Sequence, residues 1–580
     1  MNPTLVDRFI RSNFYSVYKQ YTPRVFNIIF KVFRIKFLRM LNVKSFRNED
    51  FPLDEFGRVA FYKYPFYHDP IKKHDYFAQF YKERFVTDTV VDITKFSDHM
   101  AEILKGDYKN KGEHIVEIDA PSLVPVSLVN RNTDINEGIL DFTINEKSVV
   151  LEGLKQNTFH YFPVNEKAKI KISSKDSCII GKPIAINQKR KNNKKLVITL
   201  FVDGLSSKAI SNSTLSDLMP NTHEFFRDGA KFYNCFSASE WTLSSAASIT
   251  SGLFAMNHGV TNPRGRIEVG CGYKLLGEYF QDEGYLTAQI CNNHRKNPSY
   301  GYTKGFDRSL FKRHMACDQV ITSALEHLDT FNTRDNYLWL SFFDLHHHLD
   351  FIPDISSQKN NNLDDHTYKA NVLNSVFLGY DQKLVNWYIN EIQRLDRYLN
   401  ILFDYIKNNY ELDDVLISLV SDHGQAYMGH QKELLSEQKL LTPMMFVGGG
   451  VKPIVSNEII QNVDYLPTLL SLANIENNCE VDGRLPFSLG GGDARKYSFS
   501  ESIYPYRPYH AAIYDKQFMF YLTSNKTMYD REFFDFKQCD YKLIDRFDNK
   551  DKTTSELELV EKYINHISNH CCSSKKSKAL

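Results

Sequence analysis

Three uniformly apolar runs of strand length mark the second half of the chain: residues 196–202 (LVITLFV), 337–343 (YLWLSFF) and 415–420 (VLISLV). Amphipathic stretches with helical spacing lie between them, for example 384–407. Strands apolar on both faces, alternating with helices, predict a mostly parallel central sheet covered by helices on both sides. Earlier in the chain the pattern differs. Between 113 and 186, short apolar runs such as HIVEIDA, ILDFTI and KAKIKIS are separated by Asn, Asp, Gly and Lys turns. That predicts antiparallel strands forming a small accessory β-sandwich over 111–188. Residues 1–110 read as a mixed, mostly helical and aromatic-rich region. The polar basic stretch 188–195 (QKRKNNKK) reads as a solvated linker to an α/β catalytic domain over 195–570, followed by a small polar tail, 571–580, expected to be disordered.

Composition narrows the function classes. Lys+Arg is 71 and Asp+Glu is 70, so a generally basic nucleic-acid binder and an acidic disordered chain are both disfavoured. Nine scattered Cys with no CxxC pair suit free thiols and a reducing compartment, and the expected location is cytoplasmic. No secretory signal opens the sequence and no apolar run is long enough to span a bilayer. In 24–41 (RVFNIIFKVFRIKFLRML) every charge is positive. Two readings stay open there: an interfacial helix resting on the anionic face of the inner membrane, or an amphipathic helix docked on its own domain.

The ligand site of such a sheet lies at the carboxyl ends of its strands. All three apolar runs end there in metal-ligating residue types: Asp203; Asp344 with His346, His347 and His348; and Asp422 with His423, with His430 shortly after. Asp and His together are ligands for Zn²⁺ or Mn²⁺. A single such residue is commonly structural; three strand ends in one sheet make a metal centre the stronger reading.

With these residues in view, 196–570 resembles the sulfatase / alkaline phosphatase superfamily. The segments run in order: LVITLFVDG, MPNTHEFFRDGAKFYNCFSAS, WTLSSAASITSGLFAMNHGV, GYLTAQICNNH, YLWLSFFDLHHH, VLISLVSDHGQAYMGHQKELLSEQKLLTPMMF and VDYLPTLLSLANI. The resemblance implies an alkaline phosphatase/sulfatase-like fold and a divalent metal, Zn²⁺ first and Mn²⁺ second, as one ion or two. It implies a nucleophile at Thr242 and a one-ion ligand set of Asp203, Thr242, Asp422 and His423. A second set resembles that of two-zinc phosphodiesterases, with Asp344 and His348 and with His430 as a third ligand. In a sulfatase alignment His346 instead touches substrate; sequence leaves His346 and His348 undecided. His258, Arg264, Arg266, His294 and Lys432 are candidates for binding the transferred anion.

The departures from the pattern carry information. A sulfatase needs Cys or Ser where this chain has Thr242, because that residue becomes formylglycine. The family's Pro and Arg positions are Ser244 and Ala246, and the lysine of its GKWH segment is Asn292. A Thr nucleophile is similar to the phospho-branch, where a metal-activated alkoxide attacks phosphorus. Thr242 followed by small residues also suits a helix N-cap. In length and opening residues the chain resembles bacterial capsular O-methyl phosphoramidate transferases. That implies a nucleotide-linked phospho donor and a polysaccharide acceptor. A phosphodiesterase or sulfatase-type hydrolase, and a glycan-binding pseudoenzyme, are the alternatives.

Overall fold

The computed structural model describes residues 58–60, 73–81, 99–129, 138–187, 194–261, 269–270, 272–346, 355–358, 375–504, 506–528 and 535–576. The segment 24–41, Arg264, Arg266 and His348 lie outside them.

The apolar runs form the centre of the largest sheet. Leu196–Val202 pairs in parallel with Asn336–Phe342 on one side and Val415–Val420 on the other. Leu286–Cys291 and Arg308–Phe311 continue the parallel set. Beyond Val415–Val420 the sheet turns antiparallel, through Leu441–Gly448 and Ala230–Phe236. Alternate residues of the middle strand serve opposite faces, as a strand's two-residue period requires. Leu196, Ile198, Leu200 and Val202 join one core cluster with the long helix Gln382–Asn409, while Val197 and Phe201 join another with the helix Tyr465–Leu472. Every residue of Leu196–Val202 is buried. Each large apolar side chain removed from water in this way contributes roughly 1.5–3 kcal/mol.

The amino-terminal region differs from the sequence expectation. The described part of 1–110 is strand, not helix: Lys73–Phe80 and Ala101–Lys109 pair antiparallel with each other, and Ala101–Lys109 also pairs with Arg308–Phe311. The accessory strands therefore begin before residue 111. Ser122–Leu128 and Cys178–Gly181 extend this same sheet outward, and a separate four-stranded sheet, Gly112–Ile118, Ala168–Ser174, Gly138–Ile144 and Lys147–Leu154, packs over them. Val124, Val126, Leu140, Phe142, Ile170 and Ile180 fill the space between these two layers. One accessory layer is thus continuous with the catalytic sheet by hydrogen bonding, with no break at residue 195.

A second four-stranded antiparallel sheet, Ser498–Ser502 to Cys539–Asp545, closes the carboxyl-terminal end and is covered by the helix Leu557–Lys576. That helix runs into the stretch expected to be a disordered tail. Val560, Tyr563, Ile567 and Cys571 recur at helical spacing and are all buried in one cluster, which fixes the last turns. The eight described cysteines are free thiols. Among the described residues no helix is long and apolar enough to cross a membrane.

Candidate active site

The three central strands end in register, so their following residues meet. Asp203 succeeds Val202, which lies beside Phe342, and its backbone N–H donates to the Phe342 carbonyl at 3.0 Å. Asp422 and His423 follow the neighbouring strand. The Asp422 Oδ1 accepts from the Gly204 N–H at 2.9 Å and from the His423 N–H at 2.9 Å, tying the two strand ends together.

Thr242 enters from the helix Thr242–Ser251, whose cap position is Trp241 rather than Thr242. The N-cap reading of Thr242 is corrected: it is the first helical residue, and its hydroxyl is turned into the site. Oγ1 lies 3.1 Å from Asp203 Oδ2 and 3.2 Å from His423 Nε2. The helix is pinned from behind by small polar residues. Ser245 Oγ donates to the Asp422 carbonyl at 2.6 Å, and Asn462 Nδ2 donates to Ser245 Oγ at 2.6 Å.

His423 Nδ1 lies 2.7 Å from the Gly424 carbonyl. An acceptor there fixes the proton on Nδ1 and leaves the Nε2 lone pair facing Asp203 and Thr242. His346 Nε2 lies 2.6 Å from Asp203 Oδ1. Asp203, His346 and His423 thus form a buried triad whose ligand atoms all lie within 4.8 Å of one another. Asp422 Oδ2 is buried and receives no hydrogen bond from any described residue.

The electrostatics follow from this crowding. Burial and the adjacent Asp203 carboxylate push Asp422 up to about 6. Burial acts to raise Asp203 as well, but His346, His423 and the Thr242 hydroxyl outweigh it and hold its carboxyl below the usual range. Burial, with Arg295, Arg313 and His314, holds His294 well below the ordinary imidazole value, so it stands neutral beside the site. Two buried carboxylates, one with an unused oxygen, together with an imidazole lone pair and a hydroxyl, make a donor set for one divalent cation. Asp203, Asp422, His423 and Thr242 fit such an ion, and His346 is close enough to join them.

The other candidates are placed elsewhere. Asp344 does not point into the cluster. Its Oδ1 accepts from Arg394 Nη1 at 2.7 Å and from the N–H of Cys317, the first residue of the helix Cys317–Thr330, at 2.9 Å. A short 3₁₀ turn over Asp344–His346 then swings His346, not Asp344, toward Asp203. His430 is exposed and packs on Tyr380, with ring centroids 4.2 Å apart. Lys432 is exposed on the same loop. The second-ion set expected from Asp344, His348 and His430 is therefore not assembled by the described residues. His258 is buried behind the nucleophile helix, with Nε2 3.1 Å from Ser248 Oγ and Nδ1 accepting from the Val260 N–H.

Sequence reasoning passed over Asn293. Its side-chain amide donates to Asp203 Oδ2, while Asn292, the residue aligned with the family's lysine, turns away to the Met315 carbonyl at 2.7 Å. The signal was present in the Asn292-Asn293-His294 string, one position from where the lysine was sought.

Comparison with known proteins agrees with this architecture. Residues 195–475 match the sequence model of the family described as sulfatase. A putative extracellular sulfatase Sulf-1 homolog of Caenorhabditis elegans is 22% identical over 346 residues, covering 50% of this chain and 49% of the relative. The chain thus spans about half the length of that curated relative. Among solved structures, the phosphonate monoester hydrolase SpPMH from Silicibacter pomeroyi superposes with a TM-score of 0.52 at 16% identity, covering 66% of this chain and 96% of that one. BT1596, a 2-O GAG sulfatase, gives 0.50 at 15% identity, covering 67% and 94%. Residues 195–475 thus carry the sequence pattern of the sulfatase family, on the fold that the phosphonate monoester hydrolase and the sulfatase structures share.

Proposed function

We propose that this chain is a metal-dependent transferase that moves a substituted phosphoryl group, such as methyl phosphoramidate, from a nucleotide-linked donor to a capsular or surface polysaccharide, with Thr242 as nucleophile. The observation that carries the reading is the Thr242 hydroxyl, 3.1 Å from Asp203 Oδ2 and 3.2 Å from His423 Nε2, at the start of a helix. Threonine cannot become formylglycine, so the sulfatase route of its relatives is closed at this position.

Asp203, Asp422, His423 and Thr242 would hold a divalent ion, Zn²⁺ or Mn²⁺. Bound there, the ion lowers the hydroxyl pKa and neutralises charge on the phosphoryl oxygens. Thr242 Oγ1 gives its proton to solvent water and attacks phosphorus. The bond from phosphorus to the nucleotide leaving oxygen breaks, and that oxygen departs with the electron pair. A sugar hydroxyl then attacks the Thr242-bound phosphorus and gives up its proton, and Oγ leaves, restoring the threonine. The dipole of the helix that starts at Thr242 favours the anionic group throughout. His346 and His294 flank the reacting centre, and His294, held neutral, serves as a hydrogen-bonding rather than a charged group.

A second reading is favoured by the relatives, whose names are those of hydrolases: water takes the place of the sugar hydroxyl in the second step. One experiment separates them. The metal-loaded protein is incubated with nucleotide-linked phospho donors, with and without glycan, and both the Thr242 adduct and the products are followed by mass spectrometry. Transfer predicts an adduct on Thr242 that is discharged onto glycan. Donor breakdown at the same rate with or without glycan overturns the transferase reading and leaves the hydrolase.

A further inference from the structure

A cavity of about 810 Å³ opens where the loop leaving His423 meets the carboxyl-terminal sheet. Its wall is built from several segments: Phe377 and Tyr380 from one, His430 and Lys432 from the loop, and Lys439 and Arg507 each from a further one. Phe377 and Tyr380 are each 43% exposed, which is unusual for large aromatic side chains that could have been buried in the adjoining core.

The charge of this wall is one-sided. Lys432, Lys439 and Arg507 line it along with two histidines, and among the described residues the one carboxylate in the lining is Glu433, whose Oε1 lies 3.7 Å from Lys542 outside it. The Lys439 amine reaches inward to the Val376 carbonyl at 3.2 Å, holding the Phe377 segment against the cavity.

The aromatic rings run in series from the nucleophile to this cavity. Trp241, the residue before Thr242, touches Tyr504 with centroids 4.6 Å apart, and Tyr504 touches Phe377 at 5.8 Å. Guanidinium groups sit over both ends of the row: Arg295 lies 5.3 Å from the Trp241 ring centre and Arg507 lies 4.8 Å from that of Phe377. Neighbouring rings are tilted or edge-on, with interplanar angles of 46° and 78°. This is not a slot that sandwiches one flat base. Trp241 is buried, so the row is a packed link between the turn before Thr242 and the cavity rim, and the open faces are those of Phe377 and Tyr380, on which the C–H faces of sugar rings can rest while acidic groups meet Arg507 and Lys432.

We infer that this cavity is the acceptor subsite and that its occupant is an acidic saccharide carrying carboxylate or phosphate groups. The inference rests on the transferase reading and names the acceptor's chemistry and the surface that holds it. Stacking on Phe377 and Tyr380 orients the chain of rings, Arg507 and Lys432 select the acidic groups, and the Trp241–Tyr504–Phe377 contacts tie the cavity rim to the turn that carries Thr242.

Binding can be measured without turnover. Thr242→Ala protein is titrated calorimetrically with a glucuronate-containing disaccharide, with maltose as a neutral disaccharide, and with CMP. The acidic disaccharide is expected to bind at least about tenfold more tightly than maltose, and Arg507→Gln and Phe377→Ala are each expected to weaken it by about tenfold. Phe377→Trp restores binding, because the ring face and not the phenylalanine itself is required. Both side chains are exposed, so the variants keep the wild-type melting temperature. Equal affinity for maltose, or loss of CMP rather than disaccharide binding in Arg507→Gln and Phe377→Ala, overturns the assignment. Failure of the two proposals looks different. If disaccharide binding depends on these residues but no glycan is modified, the subsite stands and the transferase reading falls. If glycan is modified and the variants leave the acceptor KM unchanged, the transferase reading stands and the subsite falls.

Discussion

Two groups of buried charges sit on the same sheet and are built on opposite terms. On the accessory side, Glu102 is 1% exposed and Arg308 is 7% exposed. Glu102 Oε1 accepts from Arg308 Nε at 2.6 Å and from the Tyr161 hydroxyl at 2.6 Å, so charge meets charge. At the carboxyl ends of the parallel strands, Asp203 and Asp422 are equally buried, yet the acceptors converge on one another and Asp422 Oδ2 is left without a donor. The first group closes on itself and joins accessory layer to catalytic sheet. The second is complete only when something cationic enters it. Burial is the same in both; what separates them is that Asp422 stands beside a second carboxylate with no cationic side chain between them, whereas Glu102 faces one.

The contrast is broken most severely at Thr242. Thr242→Ala removes the nucleophile while leaving the packing of a first-turn residue almost unchanged. Activity is expected to fall by about three to four orders of magnitude, with a melting temperature within a degree or two of wild type. Steady-state rates with a nucleotide-linked donor measure the first, and thermal denaturation the second. Near-full activity in this variant removes the proposed mechanism.

At the closed cluster the effects should be exchanged. Glu102→Gln leaves the Arg308 guanidinium buried with no counter-charge, and a loss of about 3 kcal/mol of stability is expected. Rate per folded molecule should stay close to wild type, since the pair holds layers together and touches no reacting group. Urea unfolding decides it; a loss below about 0.5 kcal/mol would class the pair with weak surface ion pairs.

A divalent ion gives the opposite response at the open cluster. Zn²⁺ or Mn²⁺ at about a hundred times its dissociation constant should stabilise the wild-type protein by about 2.7 kcal/mol, and a chelator should reverse the effect. Asp422→Asn should abolish that ion-dependent gain. The ion-free variant should be at least as stable as the ion-free wild type, because one of two adjacent buried carboxylates is gone. Scanning calorimetry with and without ion is the measurement. An ion-induced rise that survives in Asp422→Asn moves the metal centre elsewhere.

The central sheet was legible because its strands are buried on both faces, so each reads as an unbroken apolar run. Residues 196–202 and 415–420 coincide with the observed strands, and 337–343 is displaced by one residue from Asn336–Phe342. The helix expected over 384–407 extends to Gln382–Asn409. What escaped was non-local pairing. Nothing in AEILKGDYK says that Ala101–Lys109 will pair with Arg308–Phe311, about two hundred residues away, so the accessory layer looked separable when it is hydrogen-bonded to the core. The site divided in the same way. Asp203, Thr242, Asp422 and His423 follow directly from strand ends and a motif. The choice between Asp344 and His346 depends on how the chain turns after its strand, and there the 3₁₀ turn hands His346 to the cluster and leaves Asp344 to Arg394, while His348 lies outside the described residues.

The smallest effect tests a third buried pair, intermediate between the two clusters. His570 Nε2 lies 3.3 Å from Glu501 Oε1, where the carboxyl-terminal helix meets the strand Ser498–Ser502. Burial alone would lower His570, but the Glu501 carboxylate outweighs it and raises the imidazole above its ordinary value. Burial alone would raise Glu501, and His570 with the Met256 N–H and the Tyr509 hydroxyl hold it below the usual carboxylate range. A raised histidine stabilises fully below its unfolded value, about 6.5, and loses that contribution as pH climbs through the folded value. A lowered glutamate stabilises above its unfolded value, about 4.3, and loses the contribution as pH falls through the folded one. The pair therefore contributes most between about pH 4.5 and 6.5, and stability should decline by an amount on the order of 1 kcal/mol as pH rises toward 9. His570→Gln keeps a hydrogen-bonding side chain and removes the titration, so it should flatten that decline while leaving the ion-dependent gain at Asp422 intact. Urea midpoints across the pH range, taken with the ion removed by chelation, read the slope; an equal slope in His570→Gln and wild type assigns the decline to other groups and makes this pair, like the Glu102 cluster, a contact whose charge is already fully compensated.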